Sequence, residues 1–182
     1  MNQRMNYYMS NNITIEEALK NKNAIFIDVR SPAEYEEDAI PFSHNVPLLD
    51  NIQRAQVGLC YKEKGSKKAR LLGIKLVSAL LPYKIDAIQQ VAKNKEIVLY
   101  CWRGGMRSKA MAELLNLAGI PSFRLTGGYK SFRKYVNHFF NDSFNYRFIV
   151  LYGLTGVGKS EIIDKLRENN IPILDLEKIA MH

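Results

Sequence analysis

Short apolar runs alternate along the chain with segments whose apolar residues recur at helical spacing, which is the pattern of an α/β fold. The apolar runs predict buried strands at residues 24–29, 97–100, 148–152 and 171–177. Helical spacing and capping residues predict helices at residues 14–19, from 31 onward, and at 71–77, 108–118, 129–140 and 161–166. We therefore expect a parallel sheet flanked by helices.

Two of these helices have clear start signals. Thr14 is placed to cap the first one, with Glu17 at the position of a capping box. Ser31 is placed to cap the second, with Pro32 at its first position and Glu34 near the positive end of its dipole.

A cysteine follows the strand predicted at residues 97–100 and opens a loop rich in glycine and arginine. The loop and the first residue of the predicted helix after it are Cys101, Trp102, Arg103, Gly104, Gly105, Met106, Arg107 and Ser108. Cys101 is thus predicted to lie at the carboxyl end of a strand, where open α/β sheets bind ligands.

This setting favours a reactive thiolate at Cys101. Backbone N–H groups at a helix start, the helix dipole and nearby arginine charges all stabilise an anion. Gly104 and Gly105 let the backbone curl into an anion-binding nest, and Arg103 and Arg107 are placed to hold a tetrahedral oxyanion. We expect transfer of a group between an anionic donor and the cysteine sulfur. The alternative is a buried, inert cysteine.

The strand predicted at residues 148–152 runs into a second glycine-rich loop, which has the G-x4-G-K-S spacing of a phosphate loop. The residues expected to bind phosphate are Gly153, Thr155, Gly156, Gly158, Lys159 and Ser160. The backbone amides of this loop would contact phosphates, Lys159 would reach the outer phosphates, and the Ser160 hydroxyl would bind Mg²⁺. Asp175 and Glu177 are candidates for the second acidic residue of such a site.

The composition narrows the class of protein. No run of about 18 apolar residues occurs, so no membrane span is expected, and residues 1–12 contain no apolar signal core. The two cysteines, Cys60 and Cys101, do not make a disulfide framework, and a cytoplasmic, reducing location suits a reactive thiol. A net charge of +8 permits a polyanionic partner such as RNA. No group of His and Cys residues has the spacing of a metal site.

Residues 50–82 are predicted to form an insertion that contains a basic run. Its basic residues include Lys62, Lys67, Lys68 and Arg70. These side chains belong either to a solvated helix face or to a surface that contacts RNA phosphates. In the second case, removal of the basic side chains would lower the affinity for RNA and the salt dependence of binding. Cys60, in the same segment, is either a second, resolving thiol or a packed small residue.

Three spaced motifs resemble the rhodanese family. They are Asp28–Tyr35 with the following Ile40-Pro41 and Asn45–Leu48, the cysteine loop at 101–108, and Phe123–Tyr129. The resemblance implies a rhodanese-like fold over residues 13–135 and a persulfide-forming cysteine at Cys101.

The cysteine loop departs from this resemblance in its length. Five residues separate Cys101 from Arg107, where common rhodanese loops have four. The longer spacing is shared with cysteine phosphatases and makes a wider nest, suited to a phosphate-sized group. A phosphatase is therefore an alternative, although Tyr100, and not His, precedes the cysteine.

A rhodanese-like domain followed by a phosphate loop resembles the tRNA 2-selenouridine synthase family, which further matches at Val57–Lys62, Leu125–Lys130 and Asp175–Glu177. The resemblance implies replacement of sulfur by selenium in the wobble 2-thiouridine of tRNA, with selenophosphate as donor and an S-geranylated intermediate formed from geranyl diphosphate. It implies Cys101 as the catalytic thiol, no tightly bound cofactor, and tRNA and a selenophosphate-supplying enzyme as partners. Arg103, Arg107 and the loop amides would hold the donor's phosphate, and we assign the diphosphate to the phosphate loop.

We expect a rhodanese-like domain at residues 1–143 and the beginning of a phosphate-loop α/β domain at residues 144–182. One strand–helix–strand unit cannot cover both faces of a parallel sheet, so we expect the second domain to be incomplete here. The chain would then be a fragment, or a second chain would complete it. Two other functions stay open: a plain sulfurtransferase that takes sulfur from thiosulfate or a persulfide, and a non-catalytic module that binds RNA.

Overall fold

The computed structural model describes residues 11–142 and 147–179, which fall into two units divided between residues 143 and 144. The strands, all in the first unit, are β1 (Asn11–Ile13), β2 (Ala24–Asp28), β3 (His44–Asn45), β4 (Glu96–Tyr100) and β5 (Ser122–Leu125). The helices of the first unit are α1 (Ile15–Lys20), α2 (Pro32–Glu37), α3 (Asn51–Val77), α4 (Leu81–Ala92), α5 (Met106–Leu117) and α6 (Gly128–Asp142), with a 3₁₀ turn at Ser78–Leu80. The second unit contains α7 (Lys159–Glu168) and α8 (Leu176–Ile179).

The five strands form one parallel sheet in the order β1-β5-β4-β2-β3. This confirms the predicted α/β class. Asp28 at the end of β2 lies opposite Tyr100 at the end of β4. The carboxyl ends of β2 and β4 therefore lie side by side, next to Cys101.

The sheet is buried on both faces, which explains why β4 is apolar along most of its length. Ile97 and Leu99 belong to the core cluster that contains residues of α4 and α5. Val98 and Tyr100 belong to the cluster on the other face, together with residues of α1 and α6. The edge strands β1 and β3 were not predicted, because they are only three and two residues long and contain polar residues.

The predicted caps of α1 and α2 are confirmed. The Thr14 hydroxyl accepts a hydrogen bond from the Glu17 N–H at 3.2 Å, and the Glu17 carboxylate accepts one from the Thr14 N–H at 2.9 Å. Ser31 caps α2, Pro32 is its first residue, and the Glu34 carboxylate accepts hydrogen bonds from both the N–H and the hydroxyl of Ser31.

The predicted insertion forms a helical arm, residues 51–77. Its helix reverses at Gly65, whose φ of 78° and ψ of 174° are open essentially to glycine alone. The Gln53 side chain donates a hydrogen bond to the Leu76 carbonyl at 3.4 Å, which places the start of the arm beside its end. The arm is thus an antiparallel helical hairpin, and the helix predicted at residues 71–77 is part of its returning half.

The second unit confirms the helix after the phosphate loop and contradicts both predicted strands. Residues 148–152 have no regular structure, with Ile149 91% and Tyr152 99% exposed, and residues 171–177 form an irregular segment that enters α8. A strand is stable only where a neighbour pairs with it, and within residues 147–179 no strand forms. The two strand predictions are therefore wrong for the described structure, in which these apolar residues have no neighbouring strand to pair with.

Among the described residues, no helix has both the length and the apolar character required to cross a membrane.

A buried ion pair lies at the end of β2. Asp28 is 0% exposed and Arg30 is 1% exposed. The Asp28 carboxylate accepts from the Arg30 backbone N–H at 2.8 Å, from Nε at 2.9 Å and from Nη2 at 2.8 Å. The same Nη2 donates to the Asp38 carbonyl at 2.5 Å. The pair therefore joins the end of β2 to the end of α2.

We predict that Asp28→Asn lowers the free energy of unfolding by about 3–5 kcal/mol, because it leaves the Arg30 charge buried without a counter-charge. Urea unfolding measures the loss. Asp86→Asn, an exposed position on α4, is the control and is expected to change stability by less than about 0.5 kcal/mol. Equal effects of the two substitutions would contradict a structural role for the pair.

Candidate active site

The thiol of Cys101 lies directly after β4, at the carboxyl edge of the sheet. Residues 102–105 form the loop, and α5 begins at Met106, two residues earlier than predicted. Cys101 is 3% exposed. The predicted strand–cysteine–loop–helix order is confirmed, and the sulfur faces the first turn of the helix.

Two groups of this first turn contact the sulfur. The Gly105 N–H donates a hydrogen bond to Cys101 Sγ at 3.2 Å, and Ser108 Oγ lies 3.3 Å from the same sulfur. The Ser108 hydroxyl also lies 3.3 Å from the Gly105 carbonyl. With a thiol, the S–H can donate to Ser108 while Ser108 donates to that carbonyl. With a thiolate, the single hydroxyl proton can turn to the sulfur, so the site accepts both states.

The backbone of the cysteine loop rests on the turn between β5 and α6. The Tyr129 N–H donates to the Cys101 carbonyl at 2.9 Å, and the Lys130 N–H donates to the Trp102 carbonyl at 3.0 Å. Gly128 has a φ of 59°, and a Cβ at this position would overlap the Cys101 carbonyl oxygen and the Gly104 nitrogen. Glycine is therefore required where the two backbones meet.

Aromatic rings pack around the buried Arg30 beneath this turn. The Arg30 guanidinium lies 4.5 Å from the centre of the Tyr129 ring and 5.9 Å from the centres of the Tyr100 and Trp102 rings. Burial and the neighbouring Asp38 carboxylate raise the pKa of Tyr129 to about 12, so the phenol is neutral near pH 7. Tyr129 and Arg30 were not singled out as site residues from the sequence, although the Asp-x-Arg at the end of β2 is a usable signal.

Of the two arginines that follow Cys101, Arg103 is exposed and Arg107 forms an ion pair. The side chain of Arg103 is exposed, as an anion-binding group must be. Arg107 is held by Glu34, with Nη1 2.5 Å from Oε2 and Nη2 3.1 Å from Oε1. The role of Arg107 in holding an oxyanion stays a prediction, and it would require Arg107 to bind an anion in addition to Glu34.

Trp102, Gly105 and Met106 are exposed along the loop, whereas Gly104 is half-buried against the Leu125 carbonyl. Ser108 is fully buried beside the sulfur. Cys60 lies on the arm, half-buried, and neither cysteine forms a disulfide. No observed contact joins Cys60 to the cysteine loop, so its use as a second thiol stays a prediction.

The predicted phosphate loop lies in the second unit, directly before α7. Gly158 has a φ of 85°, and α7 begins at Lys159, so the first amides of the helix are not used within it. Lys159 Nζ donates to the carbonyls of Gly153 and Leu154, both at 2.8 Å, and Ser160 is exposed. Gly153, Thr155 and Gly156 are also exposed. Of the two acidic candidates, Asp175 pairs with Arg167 at 3.4 Å, and the Glu177 side chain lies outside the described residues.

Residues 13–135 match the family model described as a rhodanese-like domain. The chain belongs to this family. It is 38% identical over 170 residues to a tRNA 2-selenouridine synthase of Nitrosomonas eutropha, a match that covers 91% of this chain and 43% of the relative. It is 40% identical over 171 residues to a protein of the same name from Hydrogenovibrio crunogenus, covering 88% of this chain and 46% of the relative. The chain therefore spans less than half the length of these curated relatives.

A solved structure has the same fold as the first unit of this chain. The N-terminal domain of a protein described as ATP/GTP binding, from Clostridium difficile 630, is 42% identical to this chain with a TM-score of 0.66. The match covers 69% of this chain and 98% of that domain. The family model and the curated relatives thus confirm the resemblance inferred from the spaced motifs, and this structure agrees with the fold.

The Glu34–Arg107 pair predicts a pH dependence of stability. Although burial acts in the opposite direction, the hydrogen bonds and charge of Arg107 and the Ser31 bonds lower the pKa of Glu34 from 4.5 to about 2. A carboxyl whose pKa is lower in the folded state stabilises the fold above its unfolded pKa, and this stabilisation is lost as the pH falls through the folded pKa.

We therefore expect wild type to exceed Glu34→Gln in free energy of unfolding by about 1–3 kcal/mol above pH 5, a range reduced for the partial exposure of the pair. The difference should shrink as the pH falls from 4.5 towards 2. Urea unfolding over this pH range is the measurement. Glu113→Gln, in the exposed Lys109–Glu113 pair, is the matched control, and a constant difference for Glu34→Gln would refute the coupling.

Proposed function

We propose that the chain has the activity of a tRNA 2-selenouridine synthase, a transferase of sulfur- and selenium-containing groups, with Cys101 as the catalytic thiol. One observation carries the proposal: the Cys101 sulfur accepts the Gly105 N–H at 3.2 Å at the start of α5, with Ser108 Oγ at 3.3 Å. The sulfur thus lies at the amino end of a helix, where backbone N–H groups can bind an anionic donor. The names of the relatives supply the substrate class.

The first unit contains the groups for a chalcogen transfer. With thiosulfate as the simplest donor, the Cys101 thiolate attacks the outer sulfur. A new S–S bond forms to Cys101, the bond to the sulfonate breaks, and sulfite leaves with the electron pair. The loop amides and the exposed Arg103 would hold the anionic end of the donor. The product is a persulfide on Cys101.

The full reaction that we propose from the family resemblance replaces sulfur by selenium at C2 of the wobble 2-thiouridine. The sulfur first takes the geranyl group of geranyl diphosphate and releases diphosphate. The Cys101 thiolate would then displace this sulfur from C2 as geranyl thiol, and selenium from selenophosphate would displace the Cys101 sulfur in turn. Water supplies the oxygen with which phosphorus leaves as phosphate. No electrons are exchanged with an outside reagent.

The phosphate loop supports the diphosphate part of this scheme. Its amides at the start of α7, together with Lys159, form a site that suits two linked phosphates, and Ser160 would bind Mg²⁺. We also propose a cytoplasmic location and a partner enzyme that supplies selenophosphate.

A plain sulfurtransferase is the second candidate, and one observation favours it. The two groups that contact the Cys101 sulfur, the Gly105 N–H and the Ser108 hydroxyl, belong to the rhodanese-like domain, which is the part of the chain that a plain sulfurtransferase requires. The phosphatase alternative is weakened, because Arg107, which would hold the phosphoryl group, is bound by Glu34.

Mass spectrometry of the intact chain tests the first step. Thiosulfate is expected to add the mass of one sulfur atom to the wild-type chain and to Cys60→Ser, and nothing to Cys101→Ser. Absence of the addition from wild type, or its persistence in Cys101→Ser, would contradict the assignment of the thiol.

Nucleoside analysis of tRNA tests the complete reaction. The chain is incubated with 2-thiouridine tRNA, geranyl diphosphate and selenophosphate, and 2-selenouridine is expected with wild type and with Cys60→Ser but not with Cys101→Ser. A persulfide from thiosulfate without any 2-selenouridine would favour the plain sulfurtransferase.

A further inference from the structure

The tip of the arm has a strong and unbalanced positive charge. Between residues 61 and 70 the basic residues are Lys62, Lys64, Lys67, Lys68 and Arg70, and Glu63 is the single acidic residue. All six are exposed. Among the described residues, none of the four lysines forms a salt bridge. Their charges are therefore available to a partner.

The shape of the arm keeps these charges together. The reversal at Gly65 brings the end of the outgoing helix and the start of the returning helix to one place. Lys62 and Lys64 come before the reversal, and Lys67 and Lys68 follow it. Tyr61, which is 61% exposed, lies next to them. Clustered cations beside an exposed aromatic ring suit a nucleic acid, because they can bind phosphates and stack on a base.

The base of the arm lies beside the cysteine loop. Asn51 Oδ1 accepts a hydrogen bond from the Ala33 N–H at 3.0 Å at the start of α2. Arg54 Nε is 3.8 Å from the Glu34 carboxylate, the group that also binds Arg107 in the first turn of α5, directly after the cysteine loop. The outgoing helix, residues 51–64, is roughly 20 Å long at 1.5 Å per residue. The basic tip is thus separated from the thiol by a distance that a folded RNA can span.

We infer that the arm is a tRNA-binding element, whose tip contacts the phosphate backbone while the reacting nucleotide lies at Cys101. The inference rests on the proposed function for the identity of the RNA. It adds the surface that holds the substrate, which the cysteine loop alone does not provide.

The arm also has an apolar surface, which would serve a different partner. Its exposed apolar residues are Ile52, Leu59, Leu71 and Ile74. A protein that packed on the arm would use these side chains, and its binding would depend little on salt. The charge at the tip favours RNA, and the experiment distinguishes the two.

The test is the binding of fluorescently labelled tRNA, measured by anisotropy at several salt concentrations. The tip variant is Lys64→Gln/Lys67→Gln/Lys68→Gln. The control is Lys20→Gln/Lys22→Gln/Lys95→Gln, which removes the same charge from exposed positions near the amino ends of β2 and β4. At about 0.1 M salt we expect the tip variant to bind at least about tenfold more weakly, with a salt slope shallower by about 2–3. The control should stay within about twofold of wild type.

Three results would overturn the inference: equal weakening in both triple variants, absence of tRNA binding by the wild-type chain, or loss of binding in Leu59→Ser/Ile74→Ser with none in the tip variant. Circular dichroism establishes that each variant is folded. The reaction of Cys101 with thiosulfate is measured separately on the wild-type chain. If Cys101 does not react with thiosulfate, the proposed function is refuted, and the tRNA-binding result still decides whether the arm binds RNA. If Cys101 reacts but the tip variant binds tRNA as well as the control does, only the inference about the arm is refuted.

Discussion

The site depends on the contact between two backbones, that of the cysteine loop and that of the turn between β5 and α6. The Cys101 and Trp102 carbonyls accept hydrogen bonds from the first residues of α6, and Gly128 allows the chains to approach without a Cβ between them. In the loop held in this way, the Gly105 amide donates to the sulfur. The direction of the loop, and with it the environment of the thiol, follows from this packing.

The buried Asp28–Arg30 pair supports this contact from below. Its guanidinium lies under the Tyr129 ring, at the start of the helix that meets the loop, and its carboxylate belongs to the strand beside β4. On the surface, Glu34 connects Arg107 of the loop to the first turn of α2 and to Arg54 of the arm. A buried charge pair and a partly exposed one thus join the elements around a single sulfur, and the arm extends from the same place.

Local patterns were enough to predict much of the fold. The central strands are continuous apolar runs because helices cover both faces of the sheet, and the Thr14–Glu17 box lies within four residues of chain. Features that depend on distant residues were not predictable in this way. Arg107 meets Glu34 across 73 positions, and no local signal predicts that pairing. Residues 148–152 were predicted as a strand from their apolar run. Among the described residues no other strand pairs with them, and an unpaired apolar run does not form a strand.

The rate at which thiosulfate forms a persulfide on Cys101, compared between wild type and Gly128→Ala, tests the central claim most directly. Gly58→Ala is the control, because a Cβ there meets open space. With all three proteins folded by circular dichroism, the account predicts a rate at least about tenfold lower in Gly128→Ala, an effect on the order of 1.4 kcal/mol in the barrier. The Gly58→Ala rate should equal that of wild type. A folded Gly128→Ala protein that reacts as fast as wild type would show that the packing of the two backbones does not position the thiol.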